Sequence, residues 1–313
     1  MTRKLSTQQI MDQLAQEGVR FKSFTLTSEG RYSALDADWN YKDIPHLAVV
    51  HDLVESYPTI INDYEISSIS FQKIPPFFRF PMCLTNYDYD DQTQIYYTSL
   101  LFFILVIETK KIAIEENYTK VETTYNIGSS SSLALVCFPL LRWLITRNNK
   151  NLMEGDIPMR LRRGELRDRG YKFRTATGDG KITFSETEKL NDVSVLIPET
   201  FWGTQSYYIS LQQLKEEKDI LLGVNDDRGV RIIEAGEKIH IYKRVCHHQG
   251  SDLSTANFVD SFITCPWHGK KIYPLATIEL NGDDFRSPDI QVLQKNQSLQ
   301  ISVFIKDNAS KII

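Results

Sequence analysis

The chain has 313 residues, 42% hydrophobic and 24% charged, with a formal net charge of −4 at pH 7. That length is enough for two domains with real cores. The acidic balance offers no nucleic-acid footprint.

Residues 1–20 read as a short helix, with Ile10, Leu14 and Val19 among polar residues and Gly18 closing the pattern. No apolar stretch of the secretory type occurs in Met1–Gly18. A strand and turn follow over 21–35, from Phe21, Phe24 and Leu26 and the pair Glu29-Gly30. The pattern turns helical from Asp36 to Ser56, where Asp43-Ile44-Pro45 offers an N-cap with proline in the first turn. From about residue 59 to 137 the chain reads as β, with Ile66–Gln72, Gln94–Val106, Ala113–Ile114 and Lys120–Ile127 as strands. Pro139 opens a long helical region toward Arg169, with Gly155 and Pro158 as expected breaks. Its run Arg160, Arg162, Arg163, Arg167 and Arg169 reads as a solvated face.

The apolar runs Leu100–Ile107 and Leu133–Leu141 fall far short of the ~20 residues that span a bilayer and read as core. Cys83 and Cys137 lie in apolar stretches and read as buried, reduced thiols, which fits the cytoplasm. Residues 171–205 are polar and mixed, with a turn at Thr177–Lys181, and read as a linker. From 206 to 313 a second, all-β domain is expected, with strands at Tyr207–Leu211, Asp219–Val224, Gly229–Ala235, Lys238–Tyr242 and Leu299–Phe304.

The chemistry concentrates in Cys246-His247-His248 and Cys265-Pro266-Trp267-His268, a C-x-H and a C-x-x-H separated by sixteen residues. Two thiolates and two imidazoles can cap opposite irons of a [2Fe-2S] cluster, the cysteines on one iron and the histidines on the other. Gln249-Gly250 and Gly269 follow the two pairs, and small residues let such loops close tightly. Zinc favours C-x(2–4)-C pairs. A Cys246–Cys265 disulfide would leave both histidines unexplained. The segment resembles the Rieske domains of ferredoxins and ring-hydroxylating oxygenases. His247 reads as a non-ligand that points away from the cluster.

A second constellation, Asp43-Ile-Pro-His46-Leu-Ala-Val-Val-His51, is D-x2-H-x4-H. Two histidines and one carboxylate on one face suit an Fe(II) that activates O2. In a regular helix, residues i and i+5 stand about 140° apart, so a shared metal predicts a local π-type distortion. Taken alone, the motif is better read as a helix N-cap with one core and one surface histidine; its place on a chain with a cluster motif is what favours a metal. Its spacing matches the mononuclear iron motif of Rieske oxygenases, and the order of helices, antiparallel strands and a long helix resembles a START/SRPBCC-like helix-grip domain.

The resemblance implies an α+β protein: an N-terminal helix (1–20), a helix-grip catalytic domain (21–170), a linker (171–205) and an all-β Rieske domain (206–313). Its domain order is the reverse of that usual in the family. The cluster ligands would be Cys246, His248, Cys265 and His268. His46, His51 and Asp156 would hold the mononuclear Fe(II), with Glu154 as the alternative to Asp156. As an N-cap, Asp156 also has a purely structural reading. Asp43 would bridge the two centres as an outer partner of their histidines. The implied activity is O2-dependent oxidation of a small apolar or amphipathic molecule, fed by a reductase or ferredoxin, in a homo-oligomer such as a trimer. Phe77, Phe78, Phe80, Tyr96, Phe102, Phe103 and Tyr125 are candidate pocket residues. The alternative is a Rieske electron-transfer protein fused to a lipid- or polyketide-binding START-like module without oxygenase chemistry.

Overall fold

A computed structural model describes residues 4–51, 54–74, 78–100, 102–175, 181–188, 195–224, 228–280, 282–295 and 297–305. Two units are distinguished: Met1–Glu165 with Thr175–Leu190, and Leu166–Arg174 with Asn191–Ile313. Phe77, the side chain of Phe78 and residues 177–180 lie outside what is described.

The first unit begins with helix α1 (Thr7–Gln16), started by a capping box between Ser6 and Gln9. Strand β1 (Arg20–Gly30) follows. The helix expected from Asp36 to Ser56 is instead two short helices, α2 (Ala34–Lys42) and α3 (Ile44–Val50), joined at Asp43. Asp43 has φ −76° and ψ 75°, outside the helical well, so the hydrogen-bond ladder stops and restarts there. Its side chain makes no cap hydrogen bond. The chain then turns to strands β2 (Val54–Ile61), β3 (Glu65–Ile74), β4 (Phe78–Asp88), β5 (Thr93–Leu100), β6 (Phe103–Glu115) and β7 (Tyr118–Ser129).

These strands form one antiparallel sheet in the order β1-β7-β6-β5-β4-β3-β2. Register places Phe24, Tyr125 and Ile107 on one face, followed by Tyr96 and Asn86. Helix α4 (Phe138–Asp168) packs Phe138, Leu141 and Ile145 on that face against Phe24, Phe103, Tyr125 and Ile127. A sheet that wraps a long helix in this way is a helix-grip architecture.

α4 runs unbroken for 31 residues through Gly155 and Pro158. Pro158 is exposed, and so is Glu154, whose carbonyl loses its helical donor and can take water instead. Asp156 therefore lies within the helix and is not an N-cap. The arginine run is a solvated face only in part: Arg169 is exposed, but Arg160 and Arg163 turn inward. Arg160 is fully buried and donates to Asn40 Oδ1 at 2.7 Å. Arg163, also buried, donates to Asp36 Oδ1 at 3.0 Å and stacks over Trp39. Beneath α2, Asp38 receives Lys111 Nζ at 2.5 Å and Lys42 Nζ at 2.9 Å, and Lys42 also reaches Asp88 at 2.8 Å. Cys83 and Cys137 are exposed, contrary to expectation. So are Leu133, Val136 and Leu140 of the run read as core.

The expected linker over 171–205 is divided instead. Ile182 and Phe184, the latter in helix α5 (Phe184–Glu188), are buried in the first unit, where Lys42 donates to the Ile182 carbonyl. Tyr171, Phe173, Val195 and Ile197 belong to the core of the second unit. There β8 (Lys172–Phe173) pairs with β9 (Val195–Leu196).

The rest of the second unit is β10 (Gly203–Ser210), α6 (Leu211–Glu217), β11 (Asp219–Leu222), β12 (Val230–Ala235), β13 (Lys238–Lys243), β14 (Phe258–Val259), β15 (Phe262–Thr264), β16 (Lys271–Ile272), β17 (Ala276–Glu279), β18 (Phe285–Arg286), β19 (Ile290–Lys295) and β20 (Ser298–Ile305). One sheet runs β10-β20-β19-β18, a second β11-β12-β13-β17 and a third β14-β15-β16. The core is aliphatic, with Val230, Ile232, Ile239 and Ile241 facing Val292, Leu299, Ile301 and Val303 in one cluster. The β14-β15-β16 sheet and the turns beside it carry the cysteine–histidine loops. No helix among the described residues is long and apolar enough to cross a membrane.

Candidate metal centres

The two loops of the second unit are built alike. Gly250 N donates to the Cys246 carbonyl and Gly269 N to the Cys265 carbonyl, each at 2.9 Å. Each loop is closed at its base, by Cys246 N to Ser251 O and Cys265 N to Lys270 O, both 2.8 Å. Gly250 has φ 91° and Gly269 φ 66°, conformations that disfavour a side chain. At Gly250 a Cβ would also stand 2.6 Å from Leu166 Cδ1.

These turns aim four side chains at one place. Cys246 Sγ lies 3.2 Å from His248 Nδ1, and the His248 and His268 rings are 4.5 Å apart. Ligand atoms of Cys246, His248 and Cys265 fall within 4.8 Å of one another. Both thiols are fully buried. The Cys246 thiol's hydrogen bond, with His248 and His268, pulls the Cys265 thiol far down against the effect of burial. The same contact, with burial, pushes Cys246 up. Burial lowers the His248 pKa, keeping the imidazole in its neutral, metal-binding form. Two soft thiols, one readily a thiolate, beside two neutral imidazoles match the donor set of a [2Fe-2S] cluster with mixed ligation. His247 is spent differently: its carbonyl accepts from Val195 N at 3.1 Å.

In the first unit, α3 and α4 bring three residues together. His46 Nε2 lies 3.1 Å and His51 Nε2 2.7 Å from the same Asp156 Oδ1. All three are buried, and their ligand atoms lie within 4.8 Å of one another. The expected π-type distortion is not how this is achieved. α3 ends at Val50, and His51 has the extended dihedrals φ −113° and ψ 93°, which swing its ring back toward α4. Gly155 permits the approach, since a Cβ there would stand 2.7 Å from Val50 Cγ1 and 2.8 Å from His51 Cε1.

The outer contacts fix orientation. His46 Nδ1 faces the Asp43 carbonyl, leaving Nε2 toward Asp156. The Asp43 carboxylate stands 3.8 Å from the same nitrogen. Burial opposes ionisation of Asp156, but hydrogen bonds to His46 and His51 and the charge of Arg160 hold its carboxyl well below the usual range. Burial likewise opposes charge on His46, yet Asp156 and Asp43 raise its pKa. Arg160 Nη2 lies 3.6 Å from Asp156 Oδ2, so one carboxylate oxygen faces the histidines and the other the guanidinium. The i,i+4 spacing of Asp156 and Arg160 is the sequence signal for this neighbour. Glu154 is exposed and outside the group.

The paired cysteine–histidine loops present the donor set of an iron–sulfur domain. In agreement, residues 208–282 match the model of the Rieske [2Fe-2S] domain. The chain therefore carries a Rieske domain C-terminal to its helix-grip unit, and that domain implies a [2Fe-2S] cluster. No curated protein sequence matches the chain. Among solved structures, an aromatase/cyclase, Zhui, from Streptomyces sp. R1128 is similar at 9% identity and TM-score 0.41, covering 46% of this chain and 96% of its own. Norcoclaurine synthase from Thalictrum flavum is similar at 12% identity and TM-score 0.35, covering 50% and 94%. Dicamba monooxygenase is similar at 10% identity and TM-score 0.36, covering 54% and 57%.

Proposed function

We propose that the chain is a Rieske-type non-haem iron oxygenase, with an Fe(II) site at His46, His51 and Asp156. The observation that supports this reading is the convergence of those three ligand atoms within 4.8 Å in a chain that also carries a Rieske domain. When bound, the cluster supplies single electrons, and an Fe(II) held by two histidines and a carboxylate supplies O2 activation.

The chain's own residues would divide the work as follows. Cys246, His248, Cys265 and His268 hold the cluster. His46 and His51 present their Nε2 atoms, and Asp156 supplies the charge. Arg160 restrains the Asp156 carboxylate so that one oxygen stays toward the histidines. Asp43 orients His46 and serves as the outer partner that couples the two centres, within a chain or between chains of a homo-oligomer such as a trimer. The substrate would lie on the concave face of the sheet. Phe24, Phe103 and Tyr125 form an apolar wall there. Farther along the same face, Asn86 and Thr98 set buried polar side chains. An apolar body with one polar group, an amphipathic small molecule, suits such a lining. Electrons would come from a reductase or ferredoxin. Two exposed free thiols fit the reducing cytoplasm.

One observation favours a second reading, an electron-transfer protein fused to a ligand-binding module. Arg160 already offsets the Asp156 charge, which a metal-free site would need. Reoxidation of the chemically reduced, iron-loaded protein by O2 separates the two. Followed by the visible absorbance of the cluster, it is expected to slow at least about tenfold in His51→Ala, as loss of a metal ligand does. An unchanged rate would favour the second reading.

A further inference from the structure

The stretch from Leu133 to Leu144 is apolar on both of its sides. Phe138 and Leu141 point inward to the sheet. Outward stand Leu133 (81% exposed), Val136 (69%), Leu140, Trp143 and Leu144. Within α4, Leu140, Trp143 and Leu144 stand at i, i+3 and i+4 and draw one helical stripe, and Leu133 and Val136 precede it in the turns that lead into the helix. Phe102, 75% exposed, lies at the same end, because the Ser129 hydroxyl donates to its carbonyl at 2.8 Å. A helix that is apolar all round is stable when both sides are covered, and an exposed apolar patch of this size marks an interaction site.

Charge identifies the cover. Between Glu122 and Glu154 the sequence has no acidic residue but carries Arg142, Arg147 and Lys150, all exposed. Two further cations are tied to the turn before α4: Arg20 donates to Ser132 Oγ at 3.1 Å, and Lys22 to the Leu135 carbonyl at 3.4 Å. Five cations thus flank the stripe in a chain whose net charge is −4. Arg147 sits over the Trp143 ring at 5.6 Å, pairing an aromatic with a cation at the stripe's edge. An apolar stripe with tryptophan, rimmed by arginine and lysine, is the pattern of a helix lying in a bilayer interface.

We propose that the N-terminal end of α4, with the Phe102 hairpin, docks the protein on the surface of anionic lipid bilayers. The face lies at the end of α4 that packs on Phe24 and Tyr125, so docking would set the apolar wall of the helix-grip unit near the lipid. It stands independently of the iron site.

Sedimentation of the full, cluster-loaded chain with vesicles tests this. Phosphatidylcholine vesicles with phosphatidylglycerol are compared with pure phosphatidylcholine, at low and high salt. The chain is expected to pellet with the anionic vesicles, less so at high salt, since each cation near the surface contributes about fivefold. Leu140→Glu with Trp143→Glu is expected to weaken this at least about tenfold, with cluster absorbance and far-UV circular dichroism retained. Arg142→Glu with Arg147→Glu, which leaves the apolar stripe untouched, gives a second measure should the first variant misfold. Failure of the wild-type chain to bind anionic vesicles would overturn the proposal. Undiminished binding by both variants would do so too. So would a stable dimer, seen by light scattering, that Leu140→Glu dissolves while vesicle binding is absent, because the cover would then be a second copy.

Discussion

Cys265→Ala is expected to yield protein with no cluster absorbance and a C-terminal unit that melts well below that of the wild-type chain. Cys265 is fully buried beside Cys246, His248 and His268, in a loop closed by its own turn and base hydrogen bonds. Without the thiolate the cluster cannot be held by its four ligands. Metal binding of this kind is folding free energy, reaching about 10 kcal/mol in small metal-dependent domains. The unit is not wholly dependent on it, because the aliphatic core around Val230, Ile232, Ile301 and Val303 remains. A thermal melt followed by circular dichroism should therefore show an early transition for the C-terminal unit and an unaltered one for the helix-grip unit. Retention of both cluster absorbance and wild-type melting would refute the ligand assignment.

Asp38→Ala is expected to cost the helix-grip unit about 3–5 kcal/mol, as when one partner of a buried ion pair is removed. Lys111 is the reason. Its side chain is 1% exposed, and Asp38 Oδ1 lies 2.5 Å from its Nζ. Lys42 fares better, since Asp88 and the Ile182 carbonyl remain. Burial already lowers the Lys111 pKa with Asp38 in place. Without Asp38 the folded lysine becomes neutral, and neutralising a lysine at pH 7 costs about 4–5 kcal/mol. The pH dependence follows in sign. Above pH 7 the unfolded lysine still binds its proton while the folded one does not, so stability rises with pH until about pH 10.4. Urea unfolding at pH 7 and pH 9.5 should show the deficit shrinking, and Asp38→Ala with Lys111→Met should recover most of it. A deficit that is absent at pH 7, or that grows with pH, contradicts the network's role.

The Rieske loops were legible because ligands, turn glycines and spacing are all local in sequence. The D-x2-H-x4-H motif was legible for the same reason, but its geometry was not. The angular argument pointed to a bulge within a helix, whereas the chain ends the helix at Val50 and lets His51 turn on extended dihedrals. Arg160 and Arg163 looked like surface charges because their partners, Asn40 and Asp36, lie 120 and 127 residues away. The Asp38–Lys111 pair spans 73 residues and left no local trace. Residues 171–205 looked like a linker because their buried apolar residues come in short pairs, Tyr171 with Phe173, Ile182 with Phe184 and Val195 with Ile197, set apart by polar stretches, and the pairs serve two different cores. The run Leu133–Leu141 was visibly apolar, but hydropathy alone does not say which side of a helix is covered.

The central claim is that one chain holds two metal centres, and the iron-to-sulfide ratio of the purified, reconstituted protein tests it most directly. About three irons and two acid-labile sulfides per chain are expected, falling to two irons and two sulfides in Asp156→Asn and in His51→Ala. Two irons and two sulfides in the wild-type chain, unchanged by either substitution, would contradict it.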